Sequence, residues 1–181
     1  MKGVIFTAFL DNVEERFGVG VTEEMISACN LATDGAYTAV GTYDHGEIVQ
    51  MIVKLSELSG ESISKLLIDF GANLFGSLVA SYPNVVEHVD DSFGLITSIE
   101  NHIHVEVRKL YPDAALPRFS HELLGPDELR LVYSSERGLA DVAEGLLLGC
   151  FAYFDEVAEI TREDLSEGNV QKVAFLIKRL N

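Results

Sequence analysis

Residues 101–117 read NHIHVEVRKLYPDAALP, and this stretch divides the chain into two parts of different character. Apolar residues recur at helical spacing before it and within it: Ile96, Ile99, Ile103, Val107 and Leu110. Beyond Pro112, prolines and turn residues separate short extended pieces. The stretch therefore marks the end of a helical region and the start of a sheet region.

Helical patterns occupy most of the chain before Pro112. The first segment is an amphipathic helix that stops near Gly18, and Thr22 with the two glutamates after it is typical of a helix start. Residues 35–43 form a connection rich in Gly and Thr. Helices are predicted over residues 1–17, from residue 22, over 45–58 and 62–81, and as one or two helices over 85–111, the second from about Ser92.

Strand patterns dominate the remainder. Residues 128–137 alternate, which predicts a strand with Tyr133, Ser135 and Arg137 on one face. A long helix is predicted over residues 139–154, with further strands over 156–161 and 171–180 that are joined near Gly168. We therefore expect an α+β protein whose N-terminal two-thirds is helical and is followed by a small antiparallel sheet with a long helix.

The composition excludes several classes of protein. The net charge is −16, and no basic stripe offsets it, which argues against nucleic acid or an anionic membrane as partner. The longest apolar runs, such as residues 145–154, are shorter than the roughly 20 residues that a bilayer span needs. Cys29 and Cys150 lack the spacing of a disulfide framework or a zinc site. A soluble cytoplasmic protein is expected.

Two histidines stand close together late in the helical region. On a strand, His102, His104 and Glu106 would share a face and form the ligand set of a metal-dependent enzyme. The apolar spacing favours a helix, on which residues two apart diverge by about 200° and cannot readily grip one ion. Helical geometry alone leaves open which histidine has a special role, because both flank the apolar face.

The second polar feature is the predicted row of Tyr133, Ser135 and Arg137. Two hydroxyl donors and a guanidinium fork in a line can bind one or two carboxylates. The same pattern also fits the polar end of an ordinary amphipathic strand. Val142 and Leu146 continue an apolar face just after this row and, as a pattern, indicate core.

Together these features resemble the heme nitric oxide/oxygen binding family, the H-NOX domains related to the sensor domain of soluble guanylate cyclase. The resemblance covers nearly the whole chain. It is carried by Met1-Lys2-Gly3, Phe70-Gly71, His104, residues 109–112 (KLYP), Pro117, the Tyr133-x-Ser135-x-Arg137 motif and Glu144-Gly145-Leu146.

The resemblance implies a single sensor domain over residues 1–181, with a distal helical lobe (1–63), a proximal lobe (64–181) and heme b (iron protoporphyrin IX) buried between them. His104 lies thirteen residues before Pro117, the family's separation between the iron ligand and a proline that presses on the porphyrin. Tyr133, Ser135 and Arg137 match the motif that binds the heme propionates. The implied apolar slot consists of Ile5, Phe9, Leu74, Leu78, Pro117, Val142 and Leu146.

The implied function is non-enzymatic sensing of nitric oxide, with carbon monoxide as a further ligand. Signalling would begin when nitric oxide weakens the bond between His104 and iron, and it would act in trans on a histidine kinase or a cyclic-di-nucleotide enzyme. Oxygen-binding members place a tyrosine nine residues after the tyrosine of the clamp motif, and Val142 stands there. Oxygen is expected to be excluded, with Asn73, Tyr82 and Tyr153 as the remaining candidate donors.

Overall fold

The computed structural model describes residues 1–180, which form seven α-helices and a four-stranded antiparallel sheet. The helices are α1 (Gly3–Phe17), α2 (Val19–Ser27), α3 (His45–Ser59), α4 (Ile63–Ser81), α5 (Ser92–Thr97), α6 (His104–Leu110) and α7 (Ala140–Tyr153). A short 3-10 helix covers Pro83–Val85, and a π-helical turn covers Ile99–Ile103. The strands are β1 (Arg118–Gly125), β2 (Glu128–Ser135), β3 (Ala158–Asp164) and β4 (Gln171–Arg179).

Local sequence signals explain where helices α3 and α4 begin. The side chain of Asp44 accepts a hydrogen bond from the backbone N–H of Gly46 at the start of α3. The Ser62 hydroxyl accepts one from the backbone N–H of Lys65 at the start of α4. Each cap satisfies a backbone donor that has no partner within its helix. Gly60 ends α3 in the left-handed conformation, which glycine adopts without strain.

The sheet has the strand order β1-β2-β4-β3, so β2 and β4 lie in its centre. In this register Tyr133 of β2 stands opposite Phe119 of β1 and Val173 of β4. The inward face of the two central strands carries four buried apolar side chains: Leu129, Leu131, Phe175 and Ile177. Helix α7 packs on this face and closes the C-terminal half.

The buried side chains form two separate cores. The N-terminal core includes Phe6, Phe9, Val13, Met25, Met51, Leu55, Leu66, Phe70 and Leu74. The sheet core includes Phe93, Ile96, Leu129, Leu131, Tyr133, Leu147, Phe151, Phe175 and Ile177. Helix α4 contributes to the first core through Leu74 and packs against the second through Phe75. The division into lobes at residue 63 stays a prediction, since α4 contacts both cores.

Helices α4 and α7 approach each other backbone to backbone. A Cβ atom on Gly145 would overlap the carbonyl oxygen of Ile68 and lie 2.7 Å from the Cα of Gly71. A Cβ atom on Gly71 would overlap the carbonyl oxygen of Val142. Only glycine at both positions lets the two backbones come this close. The crossing therefore fixes where the two cores meet.

The predicted fold class is confirmed, whereas two helix predictions are wrong in detail. Helix α2 begins at Val19 rather than Thr22, because Gly18 turns the chain with φ 85° and the Thr22 hydroxyl donates to the carbonyl of Gly18 instead of capping a helix. The segment from Ser92 to Tyr111 is not one continuous helix. A wider π-helical turn interrupts it, and the backbone N–H of His104 donates to the carbonyl of Ile99 five residues back.

The strand predictions also need correction at their ends. Strand β2 ends at Ser135, so Arg137 is not on the strand face with Tyr133. The Ser135 hydroxyl accepts a hydrogen bond from the backbone N–H of Arg137, and Gly138 follows with φ 66°, so the chain turns toward α7. The third strand begins at Ala158 and continues to Asp164, beyond the predicted end at Thr161.

Helix α4 is the one helix in residues 1–180 that is long and apolar enough to cross a bilayer by length and composition alone. Its sequence does not form one of the longest apolar runs of the chain, because Lys65 and Asp69 interrupt it. Its apolar character is accounted for within the fold. One side packs on α7 at Gly71, and Leu66, Phe70 and Leu74 enter the N-terminal core.

The helix crossing predicts a contrast between two glycine substitutions. Gly145→Ala should destabilise the protein by about 1–3 kcal/mol, because the added methyl group forces the helices apart. Gly76→Ala on α4 is the matched control, since its Cβ atom would meet nothing within 4 Å. It should stabilise the helix by about 0.5–1 kcal/mol. Urea unfolding followed by circular dichroism measures both, and equal effects would contradict the packing argument.

Candidate functional site

His104 is a buried histidine with one hydrogen-bonded ring nitrogen. It is the first residue of α6, directly after the π-helical turn, and is 7% exposed. Its Nδ1 lies 3.0 Å from Oε1 of Glu100, one helical turn back. The same carboxylate oxygen accepts a hydrogen bond of 2.9 Å from the backbone N–H of Phe119 in β1. One carboxylate oxygen thus joins the histidine to the sheet.

These contacts determine which nitrogen of His104 carries the proton. A carboxylate oxygen that accepts from Phe119 acts as an acceptor toward the ring as well, so Nδ1 of His104 is the N–H donor. Burial is the main influence on His104 and lowers its pKa below the ordinary imidazole value, although the nearby charge of Glu100 opposes this shift. The ring is therefore neutral at pH 7, and the lone pair of Nε2 is available to a metal ion.

Tyr133 and Ser135 each carry a hydroxyl that accepts a hydrogen bond from the backbone. The Tyr133 hydroxyl accepts a hydrogen bond of 3.0 Å from the backbone N–H of Leu139, and the Ser135 hydroxyl accepts one of 3.1 Å from Arg137. Each hydroxyl proton remains free to donate. The backbone thus orients both side chains as donors, which suits a carboxylate ligand.

Arg137 lies in the turn after β2 rather than on the strand itself. Its Nη1 donates a hydrogen bond of 3.0 Å to the carbonyl of Ala115, two residues before Pro117. A guanidinium carries five N–H donors, so this bond leaves others for a carboxylate. The bond also ties the turn to the segment that carries Pro117, and Arg137 does not share a strand face with Tyr133 and Ser135.

An aromatic row connects the histidine with these donors. The ring of Phe119 lies 5.9 Å from that of His104 and 5.6 Å from that of Tyr133, both between ring centroids. The Phe119–Tyr133 pair is edge-to-face, a favourable aromatic geometry. The histidine and the donor cluster are thus parts of one continuous arrangement at the edge of the sheet core.

The predicted apolar slot falls mainly on the other core. Phe9 and Leu74 are buried members of the N-terminal core, and four more slot residues are partly buried against it: Ile5, Leu78, Val142 and Leu146. Pro117 is half-buried in the loop before β1. The structure therefore brings the apolar residues together on one side, while Tyr133 and Phe119 belong to or pack against the sheet core.

These donors fit heme in chemical type. A neutral buried imidazole, an apolar surface and a donor cluster at one edge are the groups that an iron porphyrin with two carboxylates requires. Each of these groups is present in residues 1–180.

The alternative ligand set of His102, His104 and Glu106 is not assembled. His102 is exposed and lines a surface cavity of about 490 Å³ together with His88, away from the predicted slot. Glu106 accepts a hydrogen bond of 2.6 Å from Lys109. Among residues 1–180, no group of three or more His, Cys, Asp or Glu side chains can hold a metal ion. The metal-enzyme alternative therefore has no support in the geometry.

The candidate polar donors for a bound gas lie elsewhere. Asn73 is exposed, and its amide donates to the carbonyl of Asp69 in its own helix. The Tyr82 hydroxyl lies 3.0 Å from that of Tyr111, and Tyr153 is 50% exposed at the end of α7. None of the three joins Phe9, Leu74 and Val142 in the N-terminal core.

Sequence reasoning missed Glu100 and Phe119. The signal for Glu100 was present, because a carboxylate four residues before a histidine lies on the same face of a helix. Phe119 contributes through its backbone N–H, and the sequence does not show which backbone donor lies near a given side chain.

Comparisons with known proteins agree on one family. A profile of the Haem-NO-binding family matches residues 2–162. The unliganded Fe(II) H-NOX protein from K. algicida is 39% identical with a TM-score of 0.93, covering 100% of this chain and 97% of that one. The H-NOX protein from S. oneidensis in the Fe(II)NO ligation state is 29% identical with a TM-score of 0.91, covering 100% of both chains. An I5F mutant of the T. Tengcongensis H-NOX is 19% identical with a TM-score of 0.90, covering 100% of this chain and 98% of that one, which is a likeness of fold. A search of curated proteins gave no match.

Proposed function

Since this chain belongs to the Haem-NO-binding (H-NOX) family, a family of heme-based gas sensors, we propose that it senses nitric oxide at ferrous heme b held by His104. The observation that carries the proposal is the pairing of His104 with Glu100, which leaves Nε2 as the free nitrogen of a neutral, buried ring. Tyr133, Ser135 and Arg137 would hold the propionates, and Ile5, Phe9, Leu74, Leu78, Pro117, Val142 and Leu146 would contact the porphyrin.

Bound ferrous heme would supply an open coordination position for a diatomic gas. The side chains around that position would determine which gas binds. Phe9, Leu74 and Val142 offer no hydrogen-bond donor, and oxygen depends on a donor far more than nitric oxide or carbon monoxide does. We therefore assign the chain to nitric oxide, with carbon monoxide as a second ligand, and we propose that it excludes oxygen.

The proposed output is regulation of a separate signalling protein in the cytoplasm rather than catalysis. Helix α6 is suited to transmit a signal because it begins at His104, so any change in what His104 holds acts on the first residue of the helix. Val105 and Leu110 on this helix are exposed apolar side chains. A histidine kinase or a cyclic-di-nucleotide enzyme is the partner class that the resemblance to stand-alone bacterial members supports.

Replacement of the histidine tests the proposal most directly. The reduced wild-type protein should show the Soret band of a heme protein, and His104→Gly should lose it unless free imidazole is supplied, because Nε2 is the proposed link to iron. His102→Ala is the matched control and should leave the absorption spectrum unchanged, since that side chain is exposed. A colourless wild-type protein, or heme loss in the control alone, would overturn the assignment.

Removal of the guanidinium should weaken heme retention. Charge-assisted hydrogen bonds contribute roughly 1.5 to 3 kcal/mol each, so Arg137→Ala should transfer heme to apomyoglobin faster than wild type. Arg130→Ala is the matched control, because Arg130 lies on β2, just before the turn that carries Arg137, and pairs with Glu163 of β3. Equal transfer rates for all three proteins would count against the role of Arg137.

The missing donor predicts a gain of oxygen binding on substitution. The wild-type ferrous protein should oxidise in air without a lasting oxygenated spectrum, whereas Val142→Tyr should form one. A single donor to such a charged acceptor is worth roughly 1.5 to 3 kcal/mol, or about ten- to a hundredfold in affinity. Val142→Phe adds the same ring without the hydroxyl and should behave like wild type. A stable oxygenated spectrum of the wild-type protein would refute the selectivity argument.

A further inference from the structure

We propose that Glu100 is a positioning residue for the iron ligand: it fixes the tautomer and orientation of His104, and its charge strengthens the bond that His104 makes to iron. The proposal rests on the proposed function, because it requires that His104 bind heme iron. It concerns a residue that the family motifs quoted above do not include.

The first argument is the geometry of a shared acceptor. Oε1 of Glu100 receives both Nδ1 of His104 at 3.0 Å and the backbone N–H of Phe119 at 2.9 Å. The second bond fixes the carboxylate to strand β1. The histidine is therefore oriented against the sheet as well as within its own helix.

The backbone just before His104 has an unusual helical geometry. The π-helical turn replaces the usual bond to the fourth residue back, so the N–H of His104 donates to Ile99. This wider turn begins one residue before Glu100 and ends one residue before His104. π turns are rare and are often found at functional sites. A side-chain hydrogen bond across this turn therefore indicates that the fold constrains the position of the His104 ring.

The third argument is chemical. A metal-ligating histidine usually donates its other ring N–H to a carboxylate, a carbonyl or a water, which raises the basicity of the ligating nitrogen. A carboxylate has the largest effect of these acceptors because it is charged. The Glu100 side chain is 32% exposed, and its direct bond to the ring transmits the charge even though solvent screens longer-range effects.

The bond between His104 and iron provides the first readout. Resonance Raman spectroscopy measures its stretching frequency in the reduced protein. The frequency should be highest in wild type, lower in Glu100→Gln and lowest in Glu100→Ala. The glutamine keeps a neutral acceptor, and the alanine removes it. Glu106→Gln is the matched control, because it removes an equal charge from the same segment while Glu106 contacts Lys109 rather than the ring.

A second experiment separates the hydrogen bond from a general effect on folding. In His104→Gly, free imidazole takes the place of the ring and still has an N–H to donate to Glu100, whereas 1-methylimidazole has none once it binds iron. Adding Glu100→Ala should raise the imidazole concentration that retains half of the heme absorption by about 10- to 100-fold, the usual effect of such partners. The concentration required for 1-methylimidazole should not rise.

Each outcome of these experiments has one meaning. A lower stretching frequency in the Glu100 variants, together with a loss confined to imidazole, supports the proposal. Unchanged frequencies, or equal losses for the two bases, overturn it and leave the sensor function standing. If neither the wild-type protein nor His104→Gly with imidazole shows a heme spectrum, the proposed function itself fails.

Discussion

The close crossing of α4 and α7 is the constraint on which the rest of this structure depends. Two facing glycines, Gly71 and Gly145, let the two backbones come into contact. The side chains next to these glycines then point into different cores. On α7, Val142 and Leu146 pack against the N-terminal core, whereas Leu147 is buried in the sheet core. A helix pair that contributes to two cores fixes the spacing between them, and the candidate site draws its apolar residues from one core and Tyr133 from the other.

The sequence contained enough information for the fold class, and its resemblance to a known family supplied the candidate site residues. Long segments with a clear period of 3.6, such as α1, α3 and α4, were predicted to within a residue or two, because amphipathic patterns directly reflect which face is buried. The relation between His104 and the Tyr133 motif came from resemblance, since helical spacing alone did not distinguish His104 from His102. The structure separates them by burial, with His104 buried and His102 exposed.

What the sequence did not reveal depends on backbone geometry. The π-helical turn keeps the same apolar spacing as an α-helix over so few residues that periodicity cannot detect it. Arg137 continues the alternating pattern of the strand in the sequence. The strand nevertheless ends before it, because its backbone N–H donates to the Ser135 hydroxyl and Gly138 has a positive φ. The role of Glu100 depends on a main-chain donor from β1, which only the tertiary fold brings to it.

The donor cluster also accounts for how so acidic a chain would bind the proposed ligand, which carries two carboxylates. A net charge of −16 would repel such a ligand over long distances, but salt screens exposed charges beyond about 8 Å at physiological ionic strength. The guanidinium of Arg137 is a local positive charge at the turn after β2, where Nη1 donates to the carbonyl of Ala115. Because backbone donors already orient the hydroxyls of Tyr133 and Ser135, a propionate of the proposed heme would meet fixed donors as well as the charge of Arg137. These short-range contacts would outweigh the net charge of the chain.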